Sequence, residues 1–373
     1  MSDIQATPTH SVVRLAHNES IYLDIVRSLA ALNVVFGHAC ELYDLPATGR
    51  WGHFAVMVFF VLSGYLIAFS AAHRDGDLQT FLIARLARLW SVLIPAMILT
   101  IVCDLIGLTF GIFPRGLASV PMDHPLIRIG AMLTFVSETW VSIQPLSNGA
   151  AWSLCLEFWY YVTFGLWTYM RPGRLRTGLT SISLLLSGHK GILLFPVWMM
   201  GVNLQKTSSL RNHSVATDAL LWLTSLILIS TIMLERLFDP IMRFVIENTN
   251  PWLMTQLAQA RAFPLDWMFG LLVTAHLLAS RRIAEFLPLK RLEKPARWCA
   301  GVSFAVYLFH APLLHLTASF LNPNQGWLAI ALTLAAISVL GPPAESSKRQ
   351  WRRWLGTALK FAEARVALVG SRS

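Results

Sequence analysis

Long apolar runs alternate with short polar and basic segments along most of the chain. A helix needs about 20 apolar residues to cross the hydrocarbon core of a bilayer. Ten runs meet or approach that length; the fourth is short, and the sixth is interrupted between Gly188 and Gly191. They lie near residues 24–43, 52–72, 89–112, 126–141, 152–170, 178–202, 217–235, 263–280, 299–320 and 326–342. The pattern predicts an all-α, polytopic integral membrane bundle of about ten transmembrane helices.

The composition supports a lipid environment. Of the 373 residues, 55% are hydrophobic and 13% are charged, whereas soluble domains carry about 25% charged residues. A soluble fold of this size has no means of burying so much apolar surface, and the 14 Trp residues suit membrane interfaces. The four cysteines lie far apart and lack metal-ligand spacing, so we expect neither a metal site nor a disulfide framework.

The net charge of +10 is distributed in short basic clusters between the apolar runs. Such clusters are typical of cytoplasmic loops that fix a membrane topology, and no nucleic-acid partner is expected. The strongest clusters run from Arg281 to Arg297 and from Lys348 to Arg365. A topology with both termini in the cytoplasm keeps both clusters inside, so we predict that topology.

The chain shows no repeat of fixed period, which favours one membrane domain over residues 1–343. Residues 344–373 are predicted to form a basic amphipathic cytoplasmic tail on the membrane surface. About the first twenty residues are polar, so we expect no cleavable signal peptide. The apolar run that begins at Ile25 is then expected to direct insertion.

The first apolar run contains an acid, a base and an imidazole. Arg27 and His38 are eleven residues apart, which on a helix gives three turns plus about 20° and a separation of roughly 16 Å. Asp24 lies about 40° off the same line. Because a charge at membrane depth costs on the order of 3 kcal/mol, such groups usually face a functional cavity. The alternative is that Asp24 and Arg27 anchor the helix at the interface and His38 caps its far end.

Four further motifs follow along the chain. They are Phe59-Phe60-Val-Leu-Ser63-Gly64-Tyr65, Arg85-Leu-Ala-Arg88, Trp152-Ser153-Leu-Cys-Leu-Glu157 with Tyr160 and Tyr161, and Ser303-Phe-Ala-Val-Tyr307-Leu-Phe-His310. With the spacing of Arg27 and His38, they resemble in type and order the acyltransferase 3 family of membrane O-acyltransferases. The late Glu-x-Pro segment of that family is reduced here to Glu345-Ser-Ser.

Each motif also has a structural interpretation that does not require a catalytic role. Arg85 and Arg88 are neighbours on one helix face and suit the phosphates of CoA, but basic residues there also serve as topological anchors. Ser63 sits in a small-residue pair that close helix packing would explain equally well. Glu157 needs a partner within its apolar run, which Arg27 or His38 would supply, unless it lies at the interface.

The same applies to the late motif and to the remaining histidines. Ser303, Tyr307 and His310 share one helix face, where His310 would otherwise only hydrogen-bond within the bundle. The other histidines show no pairing of chemical meaning in the sequence; they include His53 and His315.

The resemblance implies transfer of an acyl group, most simply acetyl, from acyl-CoA (acetyl-CoA) to a hydroxyl of a cell-surface or exported carbohydrate. It implies a bacterial cytoplasmic (inner) membrane location, with the bilayer, acyl-CoA and the carbohydrate as partners and without a metal. His38 is expected to be the general base or the acyl carrier, with Arg27, Asp24 and Glu157 as further catalytic residues. Acyl-CoA is expected to bind at Arg85 and Arg88. Residues expected to contact substrate are Ser63, Trp152, Ser153, Tyr160, Tyr307 and His310.

Two alternatives remain at this point. One is acylation of a small hydrophobic acceptor such as a macrolide. The other is a non-enzymatic transporter of a lipid-linked sugar, in which the buried Asp, Arg and His would relay protons. Transporters usually contain internal repeats, and the sequence shows none, which favours the enzyme.

Overall fold

A computed structural model describes residues 15–45, 51–73, 76–207, 214–234 and 239–370, and within these ranges the chain is helical without β-strands. The predicted lack of a signal peptide rests mainly on residues 1–14, which lie outside the described residues. The helices are α1 (His17–Leu42), α2 (Trp51–His73), α3 (Leu78–Phe110), α4 (Pro125–Leu133), α5 (Trp152–Tyr169), α6 (Arg174–Leu186), α7 (Gly188–Lys206), α8 (Val215–Leu234), α9 (Asp239–Glu247), α10 (Pro251–Leu257), α11 (Phe263–Ile283), α12 (Glu293–Ala318), α13 (Gly326–Ser346) and α14 (Lys348–Gly370).

The predicted class, an all-α polytopic membrane bundle, is confirmed, but the count of ten spans is not. Among the described residues, seven helical stretches are long and apolar enough to cross a membrane, and a bent helix pair would make eight. The fourth predicted run, 126–141, is not a span because α4 has only nine residues. Phe135 follows it with a φ of 57°, a left-handed conformation that a continuing helix excludes.

The sixth predicted run forms two helices, α6 and α7, which meet at an angle of 112°. Gly188 begins α7 with a φ of 75°, and a Cβ placed there would lie 1.9 Å from the Thr139 carbonyl oxygen. Only glycine combines this backbone conformation with so close an approach. The break therefore brings the start of α7 against the irregular segment that follows α4.

Close backbone contact joins α2 to α7. A Cβ at Gly64 would lie 2.1 Å from the Trp198 carbonyl oxygen, and one at Gly201 would lie 2.0 Å from the Val61 carbonyl oxygen. Small residues permit such contact in membrane bundles, where dense packing replaces the hydrophobic effect as the main attraction. Packing thus explains Gly64 of the second motif, which leaves Ser63 available for another role.

The two ends of the bundle carry different polar contacts. At one end, Arg297 lies 3.4 Å from Asp24 of α1, and Arg281 donates to the Leu204 carbonyl at the end of α7. We call this the basic end. At the opposite end, Arg115 donates to the Leu42 carbonyl at 2.6 Å, where α1 finishes. Helix α1 therefore runs from the basic end to the opposite end and carries its polar residues along that path.

Helix α14 packs against α3 near the basic end. The rings of Trp90 and Trp351 are 6.0 Å apart, and Gln79 donates to Glu363 at 3.2 Å. Because α13 continues to Ser346, the chain passes from α13 into α14 after a single intervening residue. Most of the described part of the predicted tail is thus helix α14, which lies beside the arginine motif of α3. The predicted boundary at residue 343, between a membrane domain and a separate tail, stays a prediction.

Candidate active site

A pocket of about 120 Å³ lies among α1, α2, α3, α5 and α12 toward the basic end. We call it the arginine pocket. Its polar lining consists of Arg27, Ser63, Arg85, Arg88, Ser153, Glu157, Tyr161, Ser303 and Tyr307. It therefore collects residues from all five sequence motifs, although these motifs are spread over nearly 300 positions of the chain.

An ion pair within α1 holds Arg27 in the pocket wall. Its guanidinium lies 3.0 Å from a carboxylate oxygen of Asp24, and the other oxygen of that carboxylate is 3.4 Å from Arg297. Asp24 does not line the arginine pocket itself. The Arg27 Nε is buried and has no hydrogen-bond partner among the described residues, so this guanidinium retains an unused donor. Asp24 thus orients Arg27.

The two arginines of α3 lie side by side in the pocket wall, as their spacing predicts. Arg85 donates to Ser70 at 2.8 Å and lies 5.1 Å from the centre of the Phe81 ring. Arg88 lies 5.9 Å from the centre of the Phe304 ring. Both guanidinium groups therefore rest on aromatic faces, an arrangement that helps to fix the planes of the two groups.

The end of α13 and the start of α14 add charge to this region, which the sequence analysis did not foresee. Glu345 accepts a hydrogen bond from the backbone N–H of Ala305 at 3.2 Å, and it interacts electrostatically with Arg88 and Arg27. Lys348 belongs to the same electrostatic group. One signal for these residues is present in the sequence, namely the position of Glu345 in the late family segment, but the altered residues around Glu345 obscured it.

Glu157 finds partners different from those we expected. It accepts hydrogen bonds from Ser63 at 2.5 Å and from Tyr161, and not from Arg27 or His38. The Trp198 indole donates to the same Ser63 oxygen at 3.2 Å. A carboxylate with hydroxyl donors within an apolar bundle is satisfied without an ion pair. Ser63 is therefore part of a polar network in the pocket, which close helix packing alone does not explain.

Tyr160 lines neither of the two cavities. Its side chain is fully buried, and its hydroxyl donates to the Gly191 carbonyl of α7 at 2.8 Å. The neighbouring Tyr161 contributes to the pocket instead. The helical spacing from Glu157 places either residue nearby, and only the packing of α5 against α7 decides between them.

Tyr307 separates the arginine pocket from a second, larger cavity and lines both. Its hydroxyl donates to the Ala150 carbonyl at 2.6 Å and accepts from Ser153 at 2.7 Å. Ser153 faces the arginine pocket, while Ala150 and Trp152 face the larger cavity. The predicted residues of α5 and α12 therefore meet at the wall between two polar spaces.

The larger cavity has a volume of about 1160 Å³ and lies toward the opposite end of the bundle. We call it the histidine cavity. Its lining histidines and charged residues are His38, Glu41, His53, Arg128, Glu138, Arg261 and His315. The arginine pocket is lined by guanidinium groups, whereas imidazole rings and carboxylates are prominent here.

His38 lies in the wall of this cavity with two polar neighbours. Its Nδ1 is 3.2 Å from a Glu41 carboxylate oxygen, and its ring centre is 5.2 Å from that of His310. His310 is fully buried and donates from Nδ1 to the Val306 carbonyl at 3.0 Å. A carbonyl only accepts, so the Nε2 of His310 bears the lone pair, and it has no partner among the described residues. His310 supports the ring of His38 and does not line the cavity.

The polar stripe of α1 is thus divided between the two spaces. Arg27 and Asp24 belong to the basic end, and His38 belongs to the histidine cavity. The prediction that Arg27 and His38 share one face of α1 is consistent with this division. Their separation of roughly 16 Å along the helix is enough to pass from one space to the other.

Two pairs in the histidine cavity escaped the sequence analysis. His53 donates from Nε2 to Asp266 at 2.7 Å, a pairing that was not visible in the sequence. Lys190 pairs with Glu138 and donates to Ser142 at 2.5 Å. The partners of the first pair are 213 residues apart, so no local pattern in the sequence indicates it.

The rim of the cavity is also charged. Arg128 donates to Asp123 at 2.6 Å, and this hydrogen bond holds the pKa of the Asp123 carboxyl below its usual range. In the part of the chain that the structure describes, no group of three or more His, Cys, Asp or Glu side chains is arranged to hold a metal ion.

The fold and the two cavities together define a multi-pass, all-α membrane protein with two polar cavities in its bundle. A sequence profile of the acyltransferase 3 family, described as an acyltransferase domain, matches residues 20–343. The chain belongs to this family, which argues against the transporter alternative.

A relative is also known among curated proteins. An O-acetyl transferase of Shigella phage Sf6 is 30% identical over 159 residues, which cover 40% of this chain. The matched part spans 46% of the phage protein, or about half of its length. No solved structure shows a significant match to the chain.

Proposed function

We propose that this protein is a membrane O-acyltransferase that moves an acyl group, most simply acetyl, from acyl-CoA to a hydroxyl of a cell-surface or exported carbohydrate. The observation that carries the proposal is the pair of unlike polar spaces on either side of Tyr307. Each suits one of the two substrates of such a reaction. Membership of the acyltransferase 3 family supports the same conclusion.

The arginine pocket suits the donor. Arg85, Arg88 and Lys348 present positive charge near the basic end, and guanidinium groups match the geometry of phosphates such as those of CoA. The excess of Lys and Arg at this end favours a cytoplasmic orientation, where acyl-CoA is available. The volume of about 120 Å³ suits the acyl end of the molecule, with the nucleotide at the surface.

The histidine cavity suits the acceptor. Ligand pockets usually have volumes of about 300–1000 Å³ and mostly apolar walls. This cavity is larger, at about 1160 Å³, and carries charged groups that include Arg128 and Glu138. Such a wall favours a hydroxyl-rich carbohydrate over a hydrophobic acceptor such as a macrolide. The similarity to a phage O-acetyl transferase agrees with acetyl as the group transferred.

His38 is the central residue of the proposed chemistry. Hydrogen bonding of its Nδ1 to Glu41 leaves Nε2 with a lone pair, which either removes the acceptor proton or attacks the thioester carbonyl carbon. In both cases the C–S bond breaks, an ester C–O bond forms, and CoA leaves as the thiol after gaining a proton. We assign Arg27, which lies in the arginine pocket, to the phosphates of the donor, and Glu157 to positioning through Ser63.

Substitution of His38 tests the proposal. His38→Gln keeps a polar side chain of similar size but cannot accept a proton near neutral pH, so transfer should fall by about 10²–10⁴-fold. The assay is acetyl transfer by purified protein in nanodiscs, with acyl-CoA binding and thermal stability measured in parallel. His73→Gln is the matched control, because among the described residues the hydrogen bond of His73 is to the Phe69 carbonyl of its own helix. A His38→Gln protein that binds acyl-CoA and keeps most of its rate would overturn the role of His38.

A further inference from the structure

The histidine cavity contains a second imidazole with a more strongly buried partner than His38 has. His53 lies at the start of α2, and its Nε2 is 2.7 Å from the Oδ1 of Asp266. The Asp266 side chain is 0% exposed, whereas the His53 side chain is 23% exposed. The carboxylate is therefore behind the imidazole, and the imidazole is at the cavity wall.

The hydrogen bond fixes which ring nitrogen is available. An ionised carboxylate only accepts, so the Nε2 of His53 carries the proton and its Nδ1 bears the lone pair. Asp266 lies in the first turn of α11, where the helix dipole stabilises a negative charge. An imidazole oriented and supported in this way by a buried carboxylate is the arrangement that general bases use.

His53 is also close to the proposed reaction centre. A Cβ added at the adjacent Gly52 would lie 3.9 Å from both Cδ2 and Nε2 of the His38 ring. The start of α2 thus borders the nitrogen of His38 that is not bonded to Glu41. Both imidazoles belong to the wall of the same cavity.

The other imidazoles of the cavity wall have weaker support for this role. His38 pairs with Glu41, whose side chain is 57% exposed and therefore hydrated. His315 donates from Nδ1 to the Gly116 carbonyl at 2.5 Å, so a neutral backbone group stands behind it. Of these three rings, His53 alone has a fully buried carboxylate as its partner.

We propose that the His53–Asp266 pair is the base for the acceptor hydroxyl, while His38 carries the acyl group. This inference rests on the proposed transferase function. In the first step, the Nε2 of His38 bonds to the acyl carbonyl carbon, the C–S bond breaks and CoA leaves as thiolate. An acylated imidazole is not free to act as a base, so the second step needs another group to take the proton.

In the second step, His53 accepts the proton of the acceptor hydroxyl. The acceptor oxygen bonds to the acyl carbon, its proton passes to the Nδ1 of His53, and the bond from carbon to the Nε2 of His38 breaks. His38 recovers its lone pair, and the proton leaves His53 to solvent and reaches the CoA thiolate. Asp266 stabilises the imidazolium that forms on His53 and acts as a positioning residue.

The two steps separate in a rapid-quench experiment with radiolabelled acetyl-CoA. Without acceptor, His53→Gln should release one equivalent of CoA and retain label on the protein at the wild-type rate. With a polysaccharide acceptor, transfer of that label should slow by about 10²–10⁴-fold. His73→Gln, at the other end of α2, is the control, and Asp266→Asn should slow the second step at least tenfold without abolishing the first.

The outcomes distinguish the inference from the function on which it rests. Normal label transfer by folded His53→Gln, or by Asp266→Asn if the first variant does not fold, would overturn the role of the pair. A wild-type protein that acetylates acceptor without first labelling itself would overturn His38 as carrier and leave the transferase intact. A wild-type protein that acetylates no carbohydrate would overturn the proposed function itself.

Discussion

The arginine pocket and the histidine cavity lie along the same helix α1, yet they differ in size and in the chemistry of their walls. The first has a volume of about 120 Å³ and is dominated by guanidinium groups. The second has a volume of about 1160 Å³ and contains imidazoles with carboxylate partners. Guanidinium groups stay charged at all physiological pH values, whereas imidazole changes its protonation state near neutrality.

This difference suggests a division of labour. Permanent charge suits the binding of a phosphorylated donor, and groups that exchange protons suit activation of a hydroxyl. Tyr307 stands between them and fixes the wall through Ser153 and the Ala150 carbonyl. The acyl group would be the only part of the donor that needs to pass this point.

Substitution in the arginine pocket should give the largest effect, and it should change the KM for the donor much more than the KM for the acceptor. Arg88→Gln should raise the KM for acetyl-CoA by about 10- to 100-fold, because a hydrogen bond to a charged group contributes about 1.5–3 kcal/mol. The KM for the carbohydrate should change little. Steady-state kinetics with each substrate varied in turn gives both values. Arg353→Gln on the exposed part of α14 is the control, and an unchanged KM for acetyl-CoA in Arg88→Gln would return Arg88 to a purely topological role.

Substitution of Tyr307, which stands between the two spaces, should have a smaller effect. The quantity that changes is the stability of the fold. Tyr307→Phe removes the hydroxyl that Ser153 and the Ala150 carbonyl use, leaving buried polar groups without partners. The expected loss in free energy of unfolding is about 1–3 kcal/mol. Denaturation of the purified protein in detergent measures it. An unchanged midpoint would mean that water or a shifted side chain replaces the hydroxyl, and that Tyr307 is not essential to the wall.

The features that sequence reasoning predicted are those that depend on composition or on local helix geometry. The apolar runs indicated the fold class, and helical spacing placed Arg85 beside Arg88 and separated Arg27 from His38. The fourth run failed because its apolar content hid the backbone reversal at Phe135, where a helix cannot continue. The density of apolar residues contains no information about such a turn.

The features that it missed depend on how helices pack. Glu157 bonds to Ser63 across 94 positions, and His53 bonds to Asp266 across 213. No spacing rule connects residues on different helices. From the sequence alone, Arg27 and His38 were therefore as reasonable as Ser63 as partners of Glu157. Motif membership brought Ser63 and Glu157 into view, whereas His53 had no such signal and required the structure.

We expect the two spaces to receive their substrates from opposite sides of the membrane, and this expectation can be measured directly. The protein is reconstituted into sealed vesicles, with acetyl-CoA confined to one compartment and a polysaccharide acceptor to the other. A Lys290→Cys variant reports the orientation of the basic end through an impermeant thiol reagent, once the native cysteines are replaced. These are Cys40, Cys103, Cys155 and Cys299.

We expect the acceptor to be acetylated across the bilayer by those molecules whose position 290 faces the acetyl-CoA compartment. Vesicles with the acceptor on the same side as acetyl-CoA should show little product, because the histidine cavity lies toward the opposite end of the bundle. Acetylation only when both substrates share one compartment, or labelling of position 290 on the acceptor side in active vesicles, would contradict the assignment of the two spaces.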